Sequence, residues 1–181
     1  MASVFAHGIF AYSLSKLEIQ PLSGGIIIAG MVLSILPDID VLSFLFGIPY
    51  ESVWGHRGLT HSILFAVAVA SIMTFWLFPK QDNQNSRATV FIYFFLCTVS
   101  HGFLDAMTSG GKGVGFFIPF DPGRYFFDVR PILVSPIGIE SFFSSWGLAV
   151  IKSEIKTVGL ISVILIAVGY IRRRSNKQAT S

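Results

Sequence analysis

Four stretches of this chain, residues 22–36, 59–79, 88–108 and about 150–171, are dominated by apolar side chains. The first two contain no Asp, Glu, Lys or Arg, and the third contains only Asp105. A run of about 20 apolar residues matches the hydrocarbon thickness of a bilayer. The rest of the chain has too little charge to carry such runs in water. Charged residues make up 13%, against about 25% in soluble domains. Disorder is excluded as well, because it requires low hydrophobicity. These features predict an all-α integral membrane protein.

Punctuation along the chain divides it into about five helices. Residues 3–17 form a short apolar helix containing His7. Pro21 opens the next helix, 22–36, whose small residues Gly24, Gly25, Ala29 and Gly30 allow a neighbour to approach closely. Pro37 ends it, and residues 41–58 form a connector with an apolar turn at 41–48. Two longer helices, 59–79 and 88–108, are joined by a polar loop at 80–87. Glycines 110, 111, 113 and 115 then break the helical pattern. Residues 116–146 read as an irregular aromatic and proline-rich loop in the membrane interface. The last helix, about 150–171, ends in Arg172, Arg173 and Arg174. A single membrane-embedded domain, 1–175, is followed by a polar tail, 176–181. The opening residues lack a basic stretch and His7 interrupts them, so no cleavable signal peptide is expected. Cys97 is alone, which excludes a disulfide framework and a thiolate zinc site.

The net charge of +3 does not point to nucleic acid. Its one cluster, at 172–177, directly follows an apolar helix and reads as a cytoplasmic flank. With that end inside, Lys16, Lys80 and Arg87 also fall inside. The other ends of the helices then face outward.

This up-and-down order has a chemical consequence. His7 begins the first helix, and Asp38 and Asp40 follow the second. His56 and His61 bracket the start of the third, and His101 and Asp105 end the fourth. All seven gather at one membrane face, and they include all four histidines of the chain. His101 and Asp105 are at i, i+4, on one helix face. In Asp38-Ile39-Asp40 two carboxylates are presented while Ile39 points away. In His56-Arg57-Gly58-Leu59-Thr60-His61, Gly58 permits a tight entry into a helix. Taken singly, His7 reads as a packed residue and the Asp pair as a helix cap. Taken together, ionisable groups at membrane depth mark function. Imidazole and carboxylate without thiolate suit zinc foremost, then manganese or iron, and the number of donors allows one or two ions. Arg57, Arg124 and Arg130 carry forks suited to phosphate or carboxylate, and Glu140 is a candidate base. Phe116, Phe117, Phe120, Tyr125, Phe126 and Phe127 suggest an interfacial belt that admits lipid.

These motifs in this order, His7, PDID at 37–40, HRGLTHS at 56–62 and SHGFLDAMTSGG at 100–111, resemble the signature of the YdjM-like family of inner-membrane-associated, metal-dependent hydrolases. The stretch 119–138 is similar to that family's later segment, so the resemblance covers residues 1–145. It implies a bacterial inner-membrane, multi-pass hydrolase with His7, Asp38, Asp40, His56, His61, His101 and Asp105 as ligands. The family's description as LexA-binding implies no DNA site here.

The expected activity is metal-dependent hydrolysis of a phosphoester, or another bond, in a lipid or lipid-linked substrate. Asp38, Arg57 and Glu140 are the candidate catalytic groups, and the site is expected on the extracytoplasmic side. A metal-ion or small-solute transporter using the same ligands is one alternative. A structural protein with a dry, metal-free hydrogen-bonded network is another.

Overall fold

A computed structural model describes residues 1–78, 85–136 and 138–179. Most of the polar loop expected at 80–87, including Lys80, lies outside the described residues, as does the end of the 176–181 tail. Among these residues seven α-helical segments run in order: α1 Val4–Ser15, α2 Gly24–Leu33, α3 Ile63–Ile72, α4 Arg87–Ala106, the short α5 Ile139–Phe142, α6 Ser145–Glu154 and α7 Leu160–Ala179. A π turn, Met73–Leu77, prolongs α3, and another, Ile155–Gly159, joins α6 to α7. The described residues form no strand, only two isolated β-bridges, so the protein is all-helical.

Serine starts these helices. The side chains of Ser3, Ser23, Ser62, Ser86 and Ser144 each accept a hydrogen bond from the backbone N–H three residues on. A helix entering an apolar medium leaves its first N–H groups without partners, and a short hydroxyl side chain supplies one.

Among the described residues, three helical stretches are long and apolar enough to cross a membrane: Gly24–Phe46, Arg87–Ala106 and Ser145–Gln178. Val4–Ser15 and Ile63–Leu77 are shorter apolar helices beside them. The protein is thus an integral membrane helix bundle. Helix α4 is its axis, packing against α1, α2 and α3, and it is the most buried of the three long stretches. Ala11, Ile26, Leu33, Ala70, Val90, Phe94 and Cys97 form the core around it. Large apolar side chains such as Ile28, Trp76, Leu160 and Ile164 are exposed on the outer faces, where lipid replaces water as the contact medium.

Two segments differ from the sequence reading. Pro37 does not end the helical run. A 3₁₀ helix spans Leu36–Phe46 with the proline in its first turn, where its missing N–H goes unused. The last helical stretch begins at Ser145 rather than near residue 150, and it is interrupted by the π turn Ile155–Gly159.

The irregular stretch between α4 and α5 is pinned rather than loose. Its backbone bonds to Arg57 through Gly115 (2.9 Å), to Ile63 through Phe116 (3.0 Å) and to the end of α4 through Phe127 (3.1 Å). Phe117, Phe120, Tyr125 and Phe127 are exposed as a belt requires, whereas Phe116 is buried beneath them against Ala106 and Val114.

Of the small residues on α2, Gly30 carries the closest approach. A Cβ there would overlap the Tyr93 ring, whose hydroxyl lies 3.3 Å from the carbonyl oxygens of Ala11 and Ile27. Tyr93 therefore ties α4 to α1 and α2 across a gap only glycine leaves open. Gly30→Ala is expected to lower stability by roughly 1–3 kcal/mol through overpacking. Gly24→Ala, whose Cβ meets nothing within 4 Å, is expected to leave the melting temperature in detergent unchanged.

Candidate metal centre

The start of α1, the 3₁₀ run after α2, the 3₁₀ turn Leu59–His61 and the end of α4 meet at one end of the bundle. There Asp38, His61, His101 and Asp105 each offer one donor atom, all within 4.8 Å of one another. His61 Nε2 lies 3.7 Å from both Asp38 Oδ1 and Asp105 Oδ2, and His101 Nε2 lies 3.3 Å from Asp38 Oδ1. His7 stacks on His101 with ring centroids 3.9 Å apart, and its Nε2 is 3.6 Å from Asp105 Oδ1. The imidazoles and Asp105 are buried, and Asp38 is the most open, with 8% of its side chain exposed.

The two aspartates of PDID have different surroundings because a 3₁₀ helix turns about 120° per residue. Asp38 faces His101, Ile39 is exposed, and Asp40 faces the other side of His61. Asp40 is crowded with donors. Its Oδ1 pairs with His56 Nδ1 at 2.6 Å, and its Oδ2 accepts from the Arg57 N–H at 3.0 Å and the Thr60 hydroxyl at 2.5 Å. His61 Nδ1 is 3.1 Å from the same Oδ2. Asp40, His56 and His61 form a second group of donor spacing, but one already satisfied internally.

Both histidines of the first group are oriented from behind. His101 Nδ1 lies 2.7 Å from the Ser34 carbonyl oxygen, which can only accept. The proton therefore sits on Nδ1, and the Nε2 lone pair faces the cluster. The Asp40 carboxylate does the same for His61. Burial alone would strip His61 of its charge, but Asp105 and Asp40 outweigh it and push its pKa up to about 9.

The fit to a metal can be read from unmet valences. Asp38 Oδ1 and Oδ2, His61 Nε2, His101 Nε2 and both nitrogens of His7 are buried without a hydrogen-bond partner, while Asp105 Oδ2 is held by the Arg57 ion pair. Buried polar atoms are almost always paired. A dry structural network would have closed these contacts, as Asp40 has closed its own. The unpaired atoms instead converge with the donor types of a cation site.

The remaining candidates fall elsewhere. Arg57 is fully buried, with Nε 2.9 Å from Asp105 Oδ2, Nη1 donating to Gly110 O and Nη2 to Thr108 Oγ1. Its fork is occupied by protein, and the carboxylate it contacts is Asp105. Arg57 is also the left-handed residue of its motif (φ 61°). Gly58 is needed for closeness instead, because a Cβ there would strike the Val53 carbonyl. Arg124 donates to the carbonyls of His56, Tyr50 and Ser52, and Arg130 lies over Phe126. Glu140 is exposed on α5 and joins neither donor group. The sequence reading passed over Glu154 and Ser34. Only Glu154, an acid inside an apolar helix, carried a signal that could have been seen.

Residues 1–178 match the family YdjM inner membrane protein. The chain is also similar to Inner membrane protein YbcI of Escherichia coli (strain K12), with 36% identity over 149 residues, 82% of this chain and 85% of that protein. No solved structure matches. The chain belongs to the YdjM family and is an inner membrane protein.

Removing one partner of a buried ion pair costs roughly 3–5 kcal/mol. Arg57→Ala is expected to lower stability by that order in detergent unfolding. Arg57→Lys recovers little of it, since an ammonium cannot reach Asp105, Thr108 and Gly110 in one plane.

Proposed function

We propose that this YdjM-family protein is a membrane-bound, metal-dependent hydrolase acting on a phosphoester, or a related bond, of a lipid or lipid-linked substrate. The observation that carries the reading is the convergence of unpartnered buried atoms of Asp38, His61 and His101 with the Asp105 carboxylate. These four residues would hold a divalent ion, zinc being the best match to two imidazoles and two carboxylates. Such an ion supplies Lewis-acid polarisation and lowers the pKa of water.

The chain's own groups do the rest. Asp40 and Ser34 fix the tautomers of His61 and His101. Arg57 holds Asp105 in place. Asp38 is the most open member of the set, and both its oxygens are free of hydrogen bonds. It is the carboxylate suited to hold a proton at Oδ2 while a substrate is processed. His7, stacked on His101, walls the cluster on the α1 side and stands as a further donor. The exposed Phe117, Phe120 and Phe127 near this end would seat the site at the level of lipid headgroups.

We place the site on the extracytoplasmic face. Lys16 and Arg87 lie at the opposite ends of α1 and α4 from the cluster, and Arg172 bonds the Leu17 carbonyl at 3.0 Å. Lys16, Arg87 and Arg172 thus share the end that the positive-inside rule assigns to the cytoplasm. A fluorescent protein fused after Ser181 is expected to fluoresce, and an alkaline phosphatase fused there to stay inactive. The reverse pair of results would invert the orientation.

Elemental analysis of protein purified in detergent is expected to find a stoichiometric transition metal, lost in His101→Ala. An ion-free wild type after exposure to zinc, manganese and iron would sink this reading. Asp40→Asn keeps the shape but weakens the hold on His61, and should reduce metal affinity by about 10- to 100-fold, the usual cost of losing such an outer partner.

A further inference from the structure

Glu154 stands at the end of α6, 5% exposed. It belongs to neither donor group, and its neighbours Phe5, Ile151, Ile155 and Val158 are apolar. A carboxylate in such surroundings is costly and is retained for a reason. Both its oxygens hold one residue: Oε1 accepts from the Ser3 N–H at 2.5 Å and Oε2 from the Ser3 hydroxyl at 2.6 Å.

Ser3 is the N-cap of α1, its Oγ accepting from the Ala6 N–H at 3.3 Å. A cap needs only its own side chain, so the second carboxylate does something more. One residue earlier, the Ala2 N–H donates to Asp105 Oδ1 at 2.6 Å. Residues 2 and 3 are therefore clamped between two carboxylates, Asp105 from α4 and Glu154 from α6. His7 follows one turn later, its N–H on the Ser3 carbonyl at 3.2 Å. The clamp sets both the depth and the rotation of α1. The backbone of α6 opens into the π turn Ile155–Gly159 directly after Glu154, a distortion found often beside functional sites.

We infer that Glu154 is a positioning residue for the metal centre, acting through Ser3 to hold the His7 ring against His101 and Asp105. The inference rests on the reading of this cluster as a metal centre.

The four histidines make the test direct. Protein labelled with ¹⁵N at histidine alone gives imidazole signals that single His→Ala variants assign. In metal-free protein, Glu154→Ala and Ser3→Ala are expected to shift the signals of His7 and its stacked partner His101. His56, held by Asp40, should stay in place. Glu154→Gln keeps an acceptor for the Ser3 N–H and a polar group for its hydroxyl, and should return His7 close to its wild-type position. Where Glu154→Ala does not fold, Glu154→Asp, one methylene shorter, carries the same comparison and should shift His7. Signals of His7 indifferent to these changes, or Glu154→Gln as displaced as Glu154→Ala, would overturn the inference. Zinc titrated into the wild type reports separately. If His61 and His101 do not respond, the metal reading fails, while the hold of Glu154 on His7 is still decided by the metal-free spectra.

Discussion

Asp105 is a carboxylate with no access to water, and much of the fold is organised around making it tolerable. Isolated, its charge would be prohibitive in an apolar interior. Four segments answer it: the Ala2 N–H from before α1, the Arg57 guanidinium from the connector, His7 from α1 and His61 from the 3₁₀ turn. None of these is near Asp105 in sequence. The connector reaches it only because Arg57 adopts a left-handed backbone, which a bulky residue takes up under constraint. The loop after α4 then closes over the arginine through Thr108 and Gly110. Ion pairing and chain path are thus one problem with one solution.

Partial satisfaction separates the two halves of the polar cluster. Around Asp40 the contacts are short and complete, and they stiffen the His56–Thr60 turn. Around Asp38 and Asp105 the ring nitrogens and oxygens stand 3.3–3.7 Å apart, too far and too poorly aimed for good hydrogen bonds. A rigid rim around an under-bonded centre is what a preorganised cation site requires, since the ligands cannot collapse on one another.

Much of this was legible in the sequence. Helix parity alone put His7, Asp38, His61, His101 and Asp105 at one end, because helices in an apolar medium must run straight across it. The i, i+4 spacing put His101 and Asp105 on one face, and Ile39 does point away from its two neighbours. What could not be read was the division of labour. Asp38 and Asp40 are chemically identical, and only the tighter winding of the 3₁₀ helix sends them to opposite sides of His61. Arg57 could be read only as a contact for phosphate or carboxylate, because its partners, Asp105, Thr108 and Gly110, lie about fifty residues away. Glu140 drew attention as a loop acid and Glu154 did not, yet packing leaves the first exposed and buries the second.

The bond between His101 Nδ1 and the Ser34 carbonyl has a mechanical meaning as well. Ser34 closes α2, where the last carbonyls of any helix lack partners in their own backbone. By taking that carbonyl, His101 makes the seating of α2 against α4 a condition of its own ring's orientation. A shift of one helix along the other would break the bond, free the ring to turn and release the proton from its fixed side. The orientation of the imidazole therefore registers whether two membrane helices are in register.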